Sequence, residues 1–198
     1  MHRKLVLFVG ATALVAGSVF ATTAAVRAQQ ESPDMEAMMQ KMMELATPGP
    51  EHAELQKHAG TWEQTYRMKW SPESPWMESK GTAEMTPILG GRFVMEKVQF
   101  EIPGMGQAEG MQLMGFDKSS GEYISLWADS MSTWWVESRG KKQADGTIDL
   151  RGIMKDVAGE RPYRMVIKNQ SETESDADMY DTILGEEVLV MQIHSKKK

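Results

Sequence analysis

The sequence predicts a mainly β domain, an antiparallel meander of roughly ten strands closed into a barrel and preceded by one amphipathic helix. Three observations carry this expectation. From Gly60 the chain alternates, with Trp62, Gln64, Tyr66, Met68 and Trp70 on one parity and Thr61, Glu63, Thr65, Arg67 and Lys69 on the other. A period of two is the mark of a half-buried strand. Turn chemistry then recurs at short intervals to the end of the chain, with no long helical pattern between, and such a sheet removes its exposed edges most completely by closing on itself. Small residues also fall where a curved wall needs them: Ser79, Gly81 and Ala83 share a parity with Met77 and Met85, opposite Glu78, Lys80, Thr82, Glu84 and Thr86.

Taken in order, residues 1–28 read as a secretory signal peptide, with an uncleaved membrane anchor as the rival reading. His2, Arg3 and Lys4 form a basic start, Leu5 to Val26 carry no charge, and Val26 and Ala28 are small residues at the positions a signal peptidase needs. Residues 29–59 hold a helix and a Pro/Gly linker. Met35, Met38, Met39, Met42 and Met43 lie three and four apart on one stripe, Ser32 is placed to cap, Pro33 suits the first helical position, and Asp34 and Glu36 suit the positive end of the dipole. Thr47-Pro48-Gly49-Pro50 stops this helix, and a short helical turn, 51–58, is expected to deliver the chain to Gly60. The barrel domain is 60–198, with strands predicted near 61–70, 77–86, 92–102, 107–116, 122–129, 133–139, 147–154, 162–169, 177–184 and 187–195.

Cysteine is absent, which excludes disulfides, thiolate metal sites and a cysteine nucleophile. About 170 residues beyond the leader suffice for a core that stands without cross-links. Loss of Arg3, Lys4 and Arg27 with the leader moves the formal charge from −6 to −9, which argues against a nucleic-acid partner. No stable membrane insertion is expected once the leader is cleaved, and the expected location is periplasmic or extracellular.

The wording of the chain is as informative as its rhythm. Glu78-Ser79-Lys80-Gly81-Thr82-Ala83-Glu84, Ile88-Leu89-Gly90-Gly91-Arg92-Phe93, Met114-Gly115-Phe116-Asp117 and Trp127-x-Asp129 join Thr47-Pro48-Gly49-Pro50-Glu51-His52 and Gly60-x-Trp62. Together they resemble a bacterial, exported domain-of-unknown-function family whose barrels look like calycins, the architecture of lipocalins, fatty-acid-binding proteins and nitrobindins. The resemblance implies the fold and brings no established active site. It also implies a basic residue from the last strand packed across the opening Trp, for which this chain offers Lys196 or Lys197 in place of Arg. Nitrobindin-like barrels hold haem through a histidine near the C-terminus, which draws attention to His194. The parity of Leu189, Met191 and Ile193 puts that histidine outside.

The strongest chemical lead is Glu96, alone among Val94, Val98, Phe100 and Ile102 on an otherwise apolar parity. A carboxylate inside a barrel costs several kcal/mol unless answered by hydrogen bonds. Gln64, Tyr66 or Arg92 are placed to answer it, while the bland reading is a structural hydrogen bond or an interior formed by the opposite face. Asp129 ends a strand and suits an Asx turn or a barrel mouth. Trp134 and Trp135, being adjacent, are expected on opposite faces of one strand, as packing or as an aromatic clamp. The methionine stripe suits packing, or copper(I) through soft thioethers.

The sequence contains no Gly-x-Ser-x-Gly elbow, phosphate loop, His-Glu-x-x-His or dinucleotide fingerprint. The expectation is therefore a carrier of a small hydrophobic molecule, with Trp62, Tyr66, Glu96, Trp127 and Trp134 as lining, no catalytic residue, no cofactor and no metal, and with room for a homodimer. The rivals are a cavity enzyme using Glu96 as acid or base, a haem or copper protein, and a structural envelope protein.

Overall fold

The computed structural model describes residues 34–183 and 185–198, so the leader lies outside the described residues. The described residues fall into two units, divided between Ala46 and Thr47. In the first, helix α1 spans Met35–Ala46. Asp34 Oδ1 caps it by accepting from the amides of Glu36 and Ala37 at 3.1 and 3.2 Å, while Ser32 and Pro33, the expected cap and first helical residue, lie outside the described residues. All five stripe methionines are exposed.

The second unit is built as the alternation predicts. Helix α2 (Pro50–Gln56) precedes β1 (Gly60–Met68), β2 (Met77–Ile88), β3 (Phe93–Ile102), β4 (Gly106–Asp117), β5 (Glu122–Asp129), β6 (Val136–Lys142), β7 (Ile148–Asp156), β8 (Gly159–Asn169), β9 (Glu174–Ile183) and β10 (Glu186–Lys197). Each strand pairs antiparallel with its sequence neighbour, and β1 pairs with β10 to close the barrel. Three starts differ from expectation by three residues, the others by at most one. β6 begins at Val136 because residues 130–135 form a loop, while β8 and β9 each begin three residues early, where polar residues join the ladder.

The strand direction gives the barrel two unlike ends. At the end where β1 begins, α2 inserts Leu55 among Val94, Tyr123, Ile148 and Leu150, a buried cluster flanked by Met114, Phe116 and Ile167. Burying one such side chain contributes about 2 kcal/mol. The Leu89-Gly90-Gly91 turn fixes the helix: all three residues have positive φ, and Gln56 Nε2 donates to Gly91 O at 3.2 Å. A Cβ on Gly91 would stand 2.5 Å from that amide, so only glycine fits. Above this floor lies a second cluster, Trp62, Tyr66, Met68, Ala83 and Val98. The opposite end is encircled by loops that expose Trp70, Met105, Met131, Trp134, Trp135 and Val157.

Candidate functional site

Register and burial place Gln64 and Tyr66 of β1, Glu96 of β3, Gln112 of β4 and Ser195 of β10 on inward positions. They converge because the intervening strand β2 carries Gly81 and Ala83 inward, leaving room between β1 and β3. Gln64 is the hub. Its Nε2 donates to Glu96 Oε1 at 2.9 Å and to Ser195 Oγ at 3.3 Å, and its Oε1 accepts a short hydrogen bond from the Tyr66 hydroxyl. Arg92 takes no part, since its guanidinium donates to Leu89 O at 3.1 Å.

Glu96 is enclosed by protein, and that burial pushes its carboxyl up to about 7 against the opposing influence of the Gln64 hydrogen bond. The residue still keeps some accessible surface. Among the described residues, no hydrogen bond reaches its Oε2. Burial, reinforced by Glu96, pushes the Tyr66 phenol far above its ordinary range. The group can therefore hold or release one proton at Glu96 near neutrality, with Tyr66 held as a neutral donor.

The other sequence-predicted residues take distinct places. Trp62 has 0 % exposure, donates Nε1 to His58 O at 2.8 Å and lies 5.8 Å beneath Lys197 Nζ, which itself donates to Lys57 O. It is floor packing with no surface left for a ligand, which corrects the expectation that it lines a cavity, and Lys197 is the basic residue across it. Trp127 is half-buried on the inner wall, with Nε1 donating to Asp129 Oδ2 at 2.8 Å. Asp129 also accepts from Met131 N at 2.9 Å, the Asx turn foreseen. Trp134 and Trp135 are not on a strand at all; both stand in the 130–135 loop, 38 % and 67 % exposed, at the mouth. His194 is outside the barrel, 2.7 Å from Asp176. His52 is buried in α2, where its Nδ1 accepts from Gly49 N at 3.0 Å.

One interior cluster escapes sequence reading. Arg161 near the mouth is held by Asp156 and Asp181 together, through four bonds of 2.6–2.8 Å. Its members come from β7, β8 and β9, so no local spacing announces them. On the outer wall, a hollow lined by Thr65, Arg67, Asp176, Asp178, Gln192 and His194 is crossed by its own hydrogen bonds, Arg67 to Gln192, Gln192 to Asp178 and His194 to Asp176.

Comparison with known proteins gives a family for this barrel. The family model described as protein of unknown function, DUF1579, matches residues 47–197, the α2 and barrel unit almost in full. The chain belongs to the DUF1579 family. No curated protein matches it. Among solved structures it is similar to Rv2717c from M. tuberculosis, with TM-score 0.58 and 12 % identity over 77 % of this chain and 99 % of that one. A second match, the ywiB protein from Bacillus subtilis, has TM-score 0.35 and 13 % identity over 70 % and 90 % of the two chains. At such identity, the likeness of this DUF1579 member to Rv2717c concerns the fold. Among the described residues no helix is long and apolar enough to cross a membrane.

Proposed function

We propose that this protein is an exported carrier that holds a small, largely apolar molecule inside the barrel, oriented by Glu96. The observation that carries the reading is an enclosed carboxyl that, among the described residues, has a single side-chain partner, Gln64, and one oxygen without any, on a wall otherwise built from Val94, Val98, Phe100 and Trp127. Apolar walls with one or two placed polar groups are how small-molecule sites obtain both affinity and orientation. The basic, apolar and small-residue sequence of the leader supports export.

Native mass spectrometry of the full chain purified from its own cell envelope tests this directly. The expected spectrum contains a retained small molecule that is lost or weakened in Glu96→Val. A spectrum of bare protein, together with no saturable binding of any apolar probe, overturns the proposal. The rival with its own observation is acid or base catalysis, because a carboxyl near 7 beside a neutral phenol suits proton transfer. That reading requires chemical conversion of the retained molecule, abolished in Glu96→Gln.

A further inference from the structure

Resting on the carrier reading, we infer that the polar end of the ligand is a cation, an amine or ammonium group held at Glu96, with its apolar body against Phe100 and Trp127. The argument begins with charge placed on inward positions. Around the ten strands these are Glu96, Asp129, Asp156, Asp181 and Glu186 against Arg161, with Lys142 and Lys197 at the floor's edge. Arg161 is fully engaged by two carboxylates, Lys142 is turned outward to Glu54 at 2.6 Å, and Lys197 lies over the Trp62 ring at the floor and donates to Lys57 O at 3.1 Å. No inward cation among the described residues is therefore left to receive a carboxylate or phosphate head. An anionic ligand would meet Glu96 and Asp129 with nothing to compensate the loss of its own hydration.

A cation meets the reverse situation. Glu96 Oε2 has an open acceptor, and Oε1 is held in position by Gln64, which cannot rotate freely because Tyr66 and Ser195 also bind it. Aromatic faces line the approach: Tyr66 and Phe100 lie 5.7 Å apart on the same wall, and Trp127 is anchored by Asp129. Such faces attract ammonium groups, more so away from bulk water. The site resembles no outer acidic patch, since its acceptor is enclosed by protein.

The test uses three probes of equal chain length, octylammonium chloride, 1-octanol and sodium octanoate, titrated into the full chain at pH 7.5 and 150 mM salt and read by calorimetry and Trp fluorescence. Octylammonium is expected to bind on the order of tenfold more tightly than octanol, with octanoate weakest. In Glu96→Gln, octylammonium should lose its tenfold advantage over octanol. Equal or tighter binding of octanol or octanoate overturns the cation assignment and leaves the carrier reading standing. A preference for octylammonium that survives in Glu96→Gln also overturns it, since surface attraction to an acidic protein would be the cause. Failure of all three probes to bind overturns both. Circular dichroism confirms that the variant is folded.

Discussion

Gln64 reaches Glu96 over an entire strand: the two side chains come from β1 and β3, and the 2.9 Å hydrogen bond passes above the small inward residues of β2. The amide sets which oxygen of Glu96 is used and which is left open. Its removal has consequences on both sides of the bond.

Replacing Gln64 by Leu strands Glu96, Ser195 and the Tyr66 hydroxyl together. Denaturant unfolding should show a loss of about 2–4 kcal/mol, because buried groups are left without partners. Tyr66→Phe removes one donor and should cost about 1 kcal/mol. A loss for Gln64→Leu no larger than that for Tyr66→Phe would remove Gln64 from the hub.

The carboxyl of Glu96 also predicts a pH dependence with a definite sign. Its folded-state value of about 7 lies above the ordinary 4.5, so the folded protein binds more protons than the unfolded chain between these limits. The favourable state is present below 4.5 and is lost as pH rises through 7, a change of roughly 3 kcal/mol if the whole shift is realised. His52 and His58, lowered chiefly by burial, act oppositely below about 6.5, and Asp117, held near 2 by Ser119, matters only in stronger acid. The difference between the wild type and Glu96→Gln isolates the carboxyl. The wild type should lose stability relative to the variant from pH 5 to pH 8, and parallel profiles would contradict the assignment.

Gly110, opposite Asp129, lies under the Trp127 ring so closely that a Cβ there would stand 2.4 Å from the indole. Gly110→Ala is expected to displace the ring, break its bond to Asp129 and destabilise the fold by about 1–3 kcal/mol. A changed tryptophan emission spectrum should accompany the loss. An unchanged spectrum would mean the wall yields elsewhere.

Leu55 is the plug of the floor, and Leu55→Ala should cost about 2–4 kcal/mol by the cavity it leaves. The effect should appear as a lowered denaturant midpoint with little change in slope. A loss below 1 kcal/mol would show that α2 is peripheral.

Much of this fold was legible because strands report their own faces. The alternation from Thr61 to Met68 places Gln64 and Tyr66 inward before any coordinates are considered, whereas that from Phe93 to Ile102 singles out Glu96 but leaves either face of its strand as the interior. The same logic placed His194 outside. What stayed hidden lies between strands or off them. Trp134 looks like a strand residue by propensity, yet the turn begun at Asp129 extends through it. Trp62 shares the inward parity of Tyr66, but parity does not say how far along the barrel packing becomes complete. Leu55 sits in a helix too short for periodicity to reveal its buried side. The Arg161 cluster joins three strands whose register only the closed sheet defines.

The seam between β1 and β10 joins Trp62 to Lys197 and Tyr66 to Ile193. Every other pairing links sequence neighbours and can form as the chain is made, whereas this one spans the whole domain. Ring closure is thus an end-to-end event, with the largest loop entropy reserved for last. Until β10 arrives, β1 and β9 each present an open edge, and the chain in that interval is the species most exposed to aggregation or to capture by a chaperone.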